Sequence, residues 1–231
     1  MNGILLGGGA VAVLGGLAHG TWHRNSPLFG PVLSRLPGDS RCVSLTFDDG
    51  PNPDATPRVL DALGEAGVKA TFFLLGKHVD RWPALAARVA AEGHQLGNHG
   101  WHHRKLHVRL PAYVRDDLGR GLASIEAATG VRPAFFRAPH GFRNPWVSSI
   151  AHSLGERVVG WTIGVWDSAR PGARVIAQRT LVHVRPGSIV LLHDGDGYDP
   201  AGDRTQTAEA LPAIIGGLRD RGYRFDVLPA G

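Results

Sequence analysis

Short runs of β-branched and aromatic residues alternate along this chain with longer stretches of helical periodicity, and few architectures accept that order. The runs with strand character are residues 43–47, 70–75, 94–97, 134–137, 157–163, 188–192 and 223–228, seven in all. Between them apolar residues recur three and four apart, as in Val59, Leu60 and Leu63, then Leu118, Leu122 and Ile125, then Leu211, Ile214, Ile215 and Leu218. That is the spacing of one helix face. Pro83 and Pro145 stand where helices should begin, and Gly67, Gly93, Gly130, Gly155 and Gly222 where they should stop. Strand runs this uniformly apolar suit a parallel sheet covered by helices, either open and doubly wound or closed as a barrel. No Gly-x-Gly-x-x-Gly follows a strand run, which argues against a nucleotide-binding version.

A length of 231 residues with 43% hydrophobic content predicts a single domain with a sizeable core. Residues 3–18 are apolar, glycine-rich and uncharged, about 16 residues against the usual ~20 of a membrane span. Residues 1–25 therefore read as a signal or membrane-anchor segment, 26–40 as a Pro/Gly-rich connector, and 41–231 as the folded domain. The expected location is the cell envelope, exported or membrane-associated. Arg24, Arg35 and Arg41 follow the apolar run and none precedes it, so the positive-inside rule also keeps a cytoplasmic orientation open.

The net charge of +5 suits anionic surroundings such as cell-wall polymers or lipid head groups. The arginines form no basic run, so nucleic acid is not an expected partner. Cys42 is the single cysteine and reads as a buried strand residue. With no internal disulfide and no thiolate cluster available, any metal must be held by histidine and carboxylate.

The unusual polar residues all follow strand runs. Asp48-Asp49 close the first, His99 and His103 follow the third, Arg137 and His140 the fourth, Asp167 the fifth, and His193-Asp194 the sixth. In a parallel barrel or sheet those ends meet on one face, where active sites are built. His99 and His103, four apart, suit chelation on one helical turn, with a carboxylate from elsewhere completing a three-ligand site open to water and substrate. Asp48-Asp49 sits where Gly50-Pro51 forces a turn. Adjacent side chains at a strand end point to different sides, so one carboxylate can bind metal while the other stays free as a base.

Thr46-Phe47-Asp48-Asp49-Gly50-Pro51, Asn98 through His103, Arg137-Ala138-Pro139-His140-Gly141 and Val190-Leu191-Leu192-His193-Asp194 together resemble the polysaccharide deacetylase (NodB-homology) family, a carbohydrate esterase type. The resemblance covers roughly residue 41 to the C-terminus and makes 41–231 its catalytic domain. It implies a distorted (β/α) barrel, usually of seven strands, in agreement with the count above. It implies that one divalent metal ion, usually zinc, is held by Asp49, His99 and His103, that Asp48 is the catalytic base, and that Arg137 orients it. His193 resembles the general acid. Leu191 and Trp161 sit where apolar residues enclose an acetyl methyl, and the backbone N–H of His140 where an oxyanion is held. The implied partner is an N-acetylated carbohydrate, such as peptidoglycan or a chitooligosaccharide, which the enzyme would deacetylate.

The chain departs from that family's pattern at two positions. Gly164 replaces the first aspartate of an Asp-x-x-Asp-Trp motif, so only Asp167 is carried over, as the partner keeping His193 charged. Gly100 stands where the family prefers Ser or Thr, which predicts a less rigid metal loop. His102 and His107 read as surface or supporting residues, and Asp194 as a loop cap. Asp196, Asp199 and Asp203 read as acids of a solvated loop on the active-site face. Trp101, Trp146, Trp161 and Trp166 divide between core packing and a sugar-binding groove. The competing readings are a metal amidase for a small or lipid-linked N-acyl substrate, and an inactive carbohydrate-binding protein. The latter is opposed by the presence of every ligand, the base and the acid.

Overall fold

A computed structural model describes residues 15–38 and 41–229. Most of the apolar run at residues 3–18 lies outside the described residues. Residues 15–22 form a helix, and among the described residues no helix is long and apolar enough to cross a membrane.

The strands are β1 (Cys42–Asp48), β2 (Thr71–Leu74), β3 (Gln95–Asn98), β4 (Phe135–Phe136), β5 (Arg157–Val158), β6 (Ile163–Gly164), β7 (Ser188–His193) and β8 (Arg224–Phe225). They pair in the order β5-β4-β3-β2-β1-β7-β6, every ladder parallel, with β8 against the start of β1. The outermost strands, β5 and β6, are joined by residues 159–162 alone. So short a link forces the sheet to curl until its two edges meet. The result is a distorted (β/α) barrel.

Helices α1 (Ala55–Glu65), α2 (Gly76–Arg81), α3 (Pro83–Ala91), α4 (Pro111–Thr129), α5 (Pro145–Ser153), α6 (Ala173–His183) and α7 (Thr205–Asp220) lie between the strands along the chain. Proline opens α3, α4 and α5, where its missing N–H costs no hydrogen bond. Gly130 closes α4 in the left-handed conformation (φ 70°), which glycine enters without steric cost. Leu60, Leu63, Leu211, Ile214 and Leu218 on these helices pack with Val43, Leu45, Phe47, Val190 and Leu192 of β1 and β7 in the main core. Both faces are covered, so β1 and β7 are buried almost throughout, and the apolar Val43, Leu45 and Phe47 of β1 alternate with buried Ser44, Thr46 and Asp48.

The single strand expected over 157–163 is two strands. At Gly160 the chain leaves one sheet edge to become the other, and a Cβ there would lie 2.1 Å from Asn25 Oδ1. The connector is also more than a tether. Leu33 N–H donates to Val158 O (2.9 Å), Gly160 N–H to Leu33 O (3.0 Å) and Leu36 N–H to Gly187 O (2.9 Å), so residues 33–36 bridge the seam on the β5 and β7 sides. Cys42, the first residue of β1, is only partly buried.

Candidate active site

The polar residues expected after strand runs lie at strand ends or in the segments that follow them, and most of them share a cleft of about 670 Å³. Asp48, Asp49, His99, His103, His140, Trp161, Asp167, Leu191 and His193 all line it. Arg137 lies just beneath, wholly buried.

Asp49, His99 and His103 each offer one ligand atom, and those atoms lie within 4.8 Å of one another. Asp49 Oδ1 is 3.1 Å from His103 Nε2 and 3.4 Å from His99 Nε2. It is buried and makes no hydrogen bond, a costly state for a carboxylate oxygen unless a cation satisfies it. His99 is fixed by Nδ1, which donates to Arg137 O (2.8 Å), so Nε2 turns to the site. Burial opposes ionisation of Asp49, but the two histidines hold its pKa well below the usual carboxylate range. Burial pushes His103 down to about 3, keeping it neutral. Burial works against charge on His99 too, yet Asp48 and Asp49 pull its pKa up. The pocket demands positive charge, and two imidazoles with one carboxylate are a donor set that fits a divalent metal.

The two histidines do not share a helical turn. Residues 99–105 are loop, with Gly100 at φ 79° and His103 at φ 58°, and this backbone path brings the rings to a centroid separation of 5.3 Å. Asp49, His140 and Trp166 also hold positive φ (74°, 61° and 58°). Non-glycine residues rarely adopt that conformation, and it clusters at functional sites.

Nor is the metal loop loosened by the glycine at position 100. Asp117, on the buried stripe of α4, accepts hydrogen bonds from Trp101 N–H (3.2 Å), His102 N–H (3.1 Å) and His102 Nδ1 (2.6 Å). Asn98 Oδ1 takes Gly100 N–H (2.9 Å). A Cβ at Gly100 would meet Asp117 Oδ2 at 2.5 Å. Gly100→Ser, the family's usual residue, should therefore weaken metal binding by about 10–100-fold and lower thermal stability, as read by titration calorimetry and a melting curve. Unchanged affinity would show that Asp117 yields.

Asp48 Oδ1 pairs with Arg137 Nη1 at 2.7 Å, while its Oδ2 lies 3.8 Å from His99 Nε2. Arg137 is oriented by bonds from Nη1 to Thr46 Oγ1 (2.8 Å) and from Nη2 to Gly160 O (2.9 Å). Its guanidinium stacks on Phe73, 4.1 Å from the ring centroid. Asp48 is thus bound along one oxygen and left with the other toward the metal residues.

His193 Nδ1 bonds Asp167 Oδ1 at 2.8 Å, and His193 N–H donates to Asp167 Oδ2 (2.7 Å), which also takes Thr207 Oγ1 (3.0 Å). Burial alone would lower the His193 pKa. Asp167 overcomes it and, with Asp49 and Asp48, raises it to about 9. Losing the first motif aspartate at Gly164 leaves this pair intact.

Other expectations fare differently. Asp194 is wholly buried and takes a hydrogen bond from Thr56 Oγ1 (2.6 Å), and burial raises its pKa to about 7. Asp196 is not free in solvent but pairs with Arg204 (2.6 Å), whereas Asp199 and Asp203 are exposed. Trp161 and Trp166 are on the cleft. Trp101 instead bonds Asp80 (2.8 Å) and Trp146 bonds Arg109 O (2.8 Å).

Four contributors were not singled out from sequence: Asp117, Tyr198, Trp22 and Arg24. Asp117 carried a readable signal, a carboxylate three residues after Val114 and four before Gly121 on an apolar helix stripe. Tyr198 Oη lies 3.0 Å from His140 Nε2 and its ring meets His103 edge-on. Trp22 and Arg24 reach the cleft from the N-terminal segment.

Comparison with known proteins agrees with this geometry. A family model described as polysaccharide deacetylase matches residues 35–159. A chitooligosaccharide deacetylase of Bradyrhizobium sp. (strain ANU 289) is 40% identical over 215 residues, covering 88% of this chain and 96% of that protein. A peptidoglycan-N-acetylglucosamine deacetylase of Bacillus cereus is 36% identical over 201 residues, covering 85% and 90%. The crystal structure of the Bc1960 peptidoglycan N-acetylglucosamine deacetylase superposes with a TM-score of 0.80 at 32% identity, over 86% of this chain and 91% of that one. The barrel, the strand-end constellation and relatives that match it over nearly their full length lead to one assignment: the chain belongs to the polysaccharide deacetylase (NodB-homology) family.

Proposed function

We propose that the protein is a metal-dependent hydrolase that removes acetyl groups from N-acetylglucosamine units of chitooligosaccharide or peptidoglycan. The observation that carries this reading is the free carboxylate of Asp48, aligned by Arg137, beside a three-donor metal set and in one cleft with a charged His193. Zinc, held by Asp49, His99 and His103, would supply the Lewis acidity that polarises an acetamide carbonyl and lowers the pKa of water from about 15.7 toward 7. Asp48 accepts the proton of the attacking water, and its ion pair with Arg137 keeps the accepting oxygen in place. The N–H of His140, bonded to no acceptor among the described residues, serves the tetrahedral oxyanion. His193 donates its Nε2 proton to the departing amine while Asp167 holds Nδ1. Leu191 and Trp161 enclose the methyl group. The apolar run at residues 3–18 and two relatives named for peptidoglycan support a place at the cell envelope.

The test is acetate release from chitooligosaccharides, peptidoglycan fragments and acetylxylan with zinc added. Release from the N-acetylglucosamine substrates, lost on chelation and restored by metal, is the expected result. Turnover that persists in excess chelator would remove the metal from the account.

A further inference from the structure

Residues 21–26 precede the family-model match, which begins at residue 35, yet they form a wall of the catalytic cleft. They are fixed there. Asn25 pairs both ways with the Trp161 backbone, its Nδ2 donating to Trp161 O (3.0 Å) and its Oδ1 accepting Trp161 N–H (3.3 Å). Arg24 Nε donates to the same carbonyl (3.2 Å). Arg143 clamps the segment from beneath: its N–H donates to Thr21 O (3.2 Å), and its Nη2 to Ser26 O (2.7 Å) and Arg24 O (3.4 Å). Arg143 is 1% exposed and has no carboxylate partner among the described residues. A buried guanidinium without a counter-charge is tolerated only where fixed dipoles solvate it. The carbonyls of residues 24 and 26 supply them, so this wall is a built part of the barrel.

Together with the loops across the cleft, the wall presents an unusual surface. Trp22, Trp166 and Tyr198 line the cleft although 61%, 73% and 65% exposed, and Trp166 is held in a left-handed conformation (φ 58°). Large aromatic rings kept in water at a cleft rim suit a ligand that is flat and apolar on its faces but polar at its edges. A pyranose ring, with axial C–H groups on its faces and hydroxyls around its rim, has that form. Arg24 adds polar reach: its two Nη nitrogens make no hydrogen bond among the described residues, while its guanidinium lies 5.1 Å from the Trp161 ring centroid.

We propose that residues 22–25 build a second sugar subsite, in which Trp22 stacks on the pyranose ring next to the one that loses its acetyl group and Arg24 donates to that ring's hydroxyls. The inference rests on the deacetylase reading of the cleft and makes the protein selective for oligomers over single sugars. It also makes residues 21–26 part of the catalytic unit, so the boundary expected at residue 25 falls inside a working surface.

The decisive measurement is binding, which does not depend on turnover. Chitotetraose and N-acetylglucosamine are titrated by calorimetry into zinc-loaded full-length protein, with Asp48→Asn as the background that keeps the ligand intact. Trp22→Ala should weaken chitotetraose binding about five- to tenfold while changing N-acetylglucosamine binding less than about twofold, and Trp22→Phe should restore most of the loss. In otherwise native enzyme the same change should raise KM for the tetramer and spare kcat. Trp22 is exposed, so the fold, checked by a melting curve, should be unaffected. Wild-type chitotetraose affinity in Trp22→Ala overturns the subsite even if the enzyme deacetylates. Equal weakening for monomer and tetramer also overturns it, because Trp22 would then serve the reacting sugar. If no acetate is released from any glycan but Trp22→Ala still loses tetramer binding selectively, the subsite stands and the hydrolytic reading falls.

Discussion

Asp48→Asn should reduce acetate release by about 10²–10⁴-fold while the protein still holds about one metal ion per chain. The substitution keeps the shape of the side chain and a bond to Arg137 Nη1, which now reaches Asp48 Oδ1 at 2.7 Å, but removes the basic oxygen. The metal donors are Asp49, His99 and His103, so metal content, read by elemental analysis, should be unchanged. Loss of the ion together with activity would place Asp48 among the ligands. Full activity would pass the role of base to another group, and Asp194, buried with a pKa near 7, would be the first to test.

The second large effect concerns the acid. The His193 pKa is raised to about 9 against the effect of burial, chiefly by Asp167. A raised pKa in a cation means that the charged form is present below it and is lost as pH rises through it. The alkaline limb of kcat/KM should therefore fall near pH 9 in the native enzyme. In Asp167→Asn only the weaker pull of Asp49 and Asp48 opposes burial, so the limb should move to lower pH and activity at pH 8 should fall by about tenfold or more. At pH 6 the loss should be much smaller. A uniform loss at all pH values would mean that Asp167 positions His193 without setting its charge.

Much of this arrangement was readable in the chain. The apolar runs of β1 and β7 announced a buried parallel sheet, and polar residues after strand runs announced the site, because in a parallel barrel the C-terminal strand ends and the loops that follow them converge on one face. What escaped lay in backbone conformations and distant contacts. The spacing of His99 and His103 suited a helical turn equally well, and the loop path depends on the left-handed Gly100 and His103. The run 157–163 looked like one strand because Val158 and Val159 before Gly160 and Trp161, Thr162 and Ile163 after it all favour extension. Its break at Gly160 is set by closure of the barrel and by Asn25, which packs against it from 135 positions upstream. Trp22 and Arg24 were hidden for the same reason. Beside an apolar segment they look like flanking residues of an anchor, and only the clamp of Arg143 turns them onto the cleft.

The most direct test of the metal site is X-ray diffraction from zinc-soaked crystals, with an anomalous difference map recorded at the zinc edge. One peak is expected, bonded to Asp49, His99 Nε2 and His103 Nε2 at about 2.0–2.2 Å, with Asp48 unligated and still paired to Arg137. Zinc held by Asp48, or a peak away from these three side chains, would contradict the shared site from which every catalytic role here is derived.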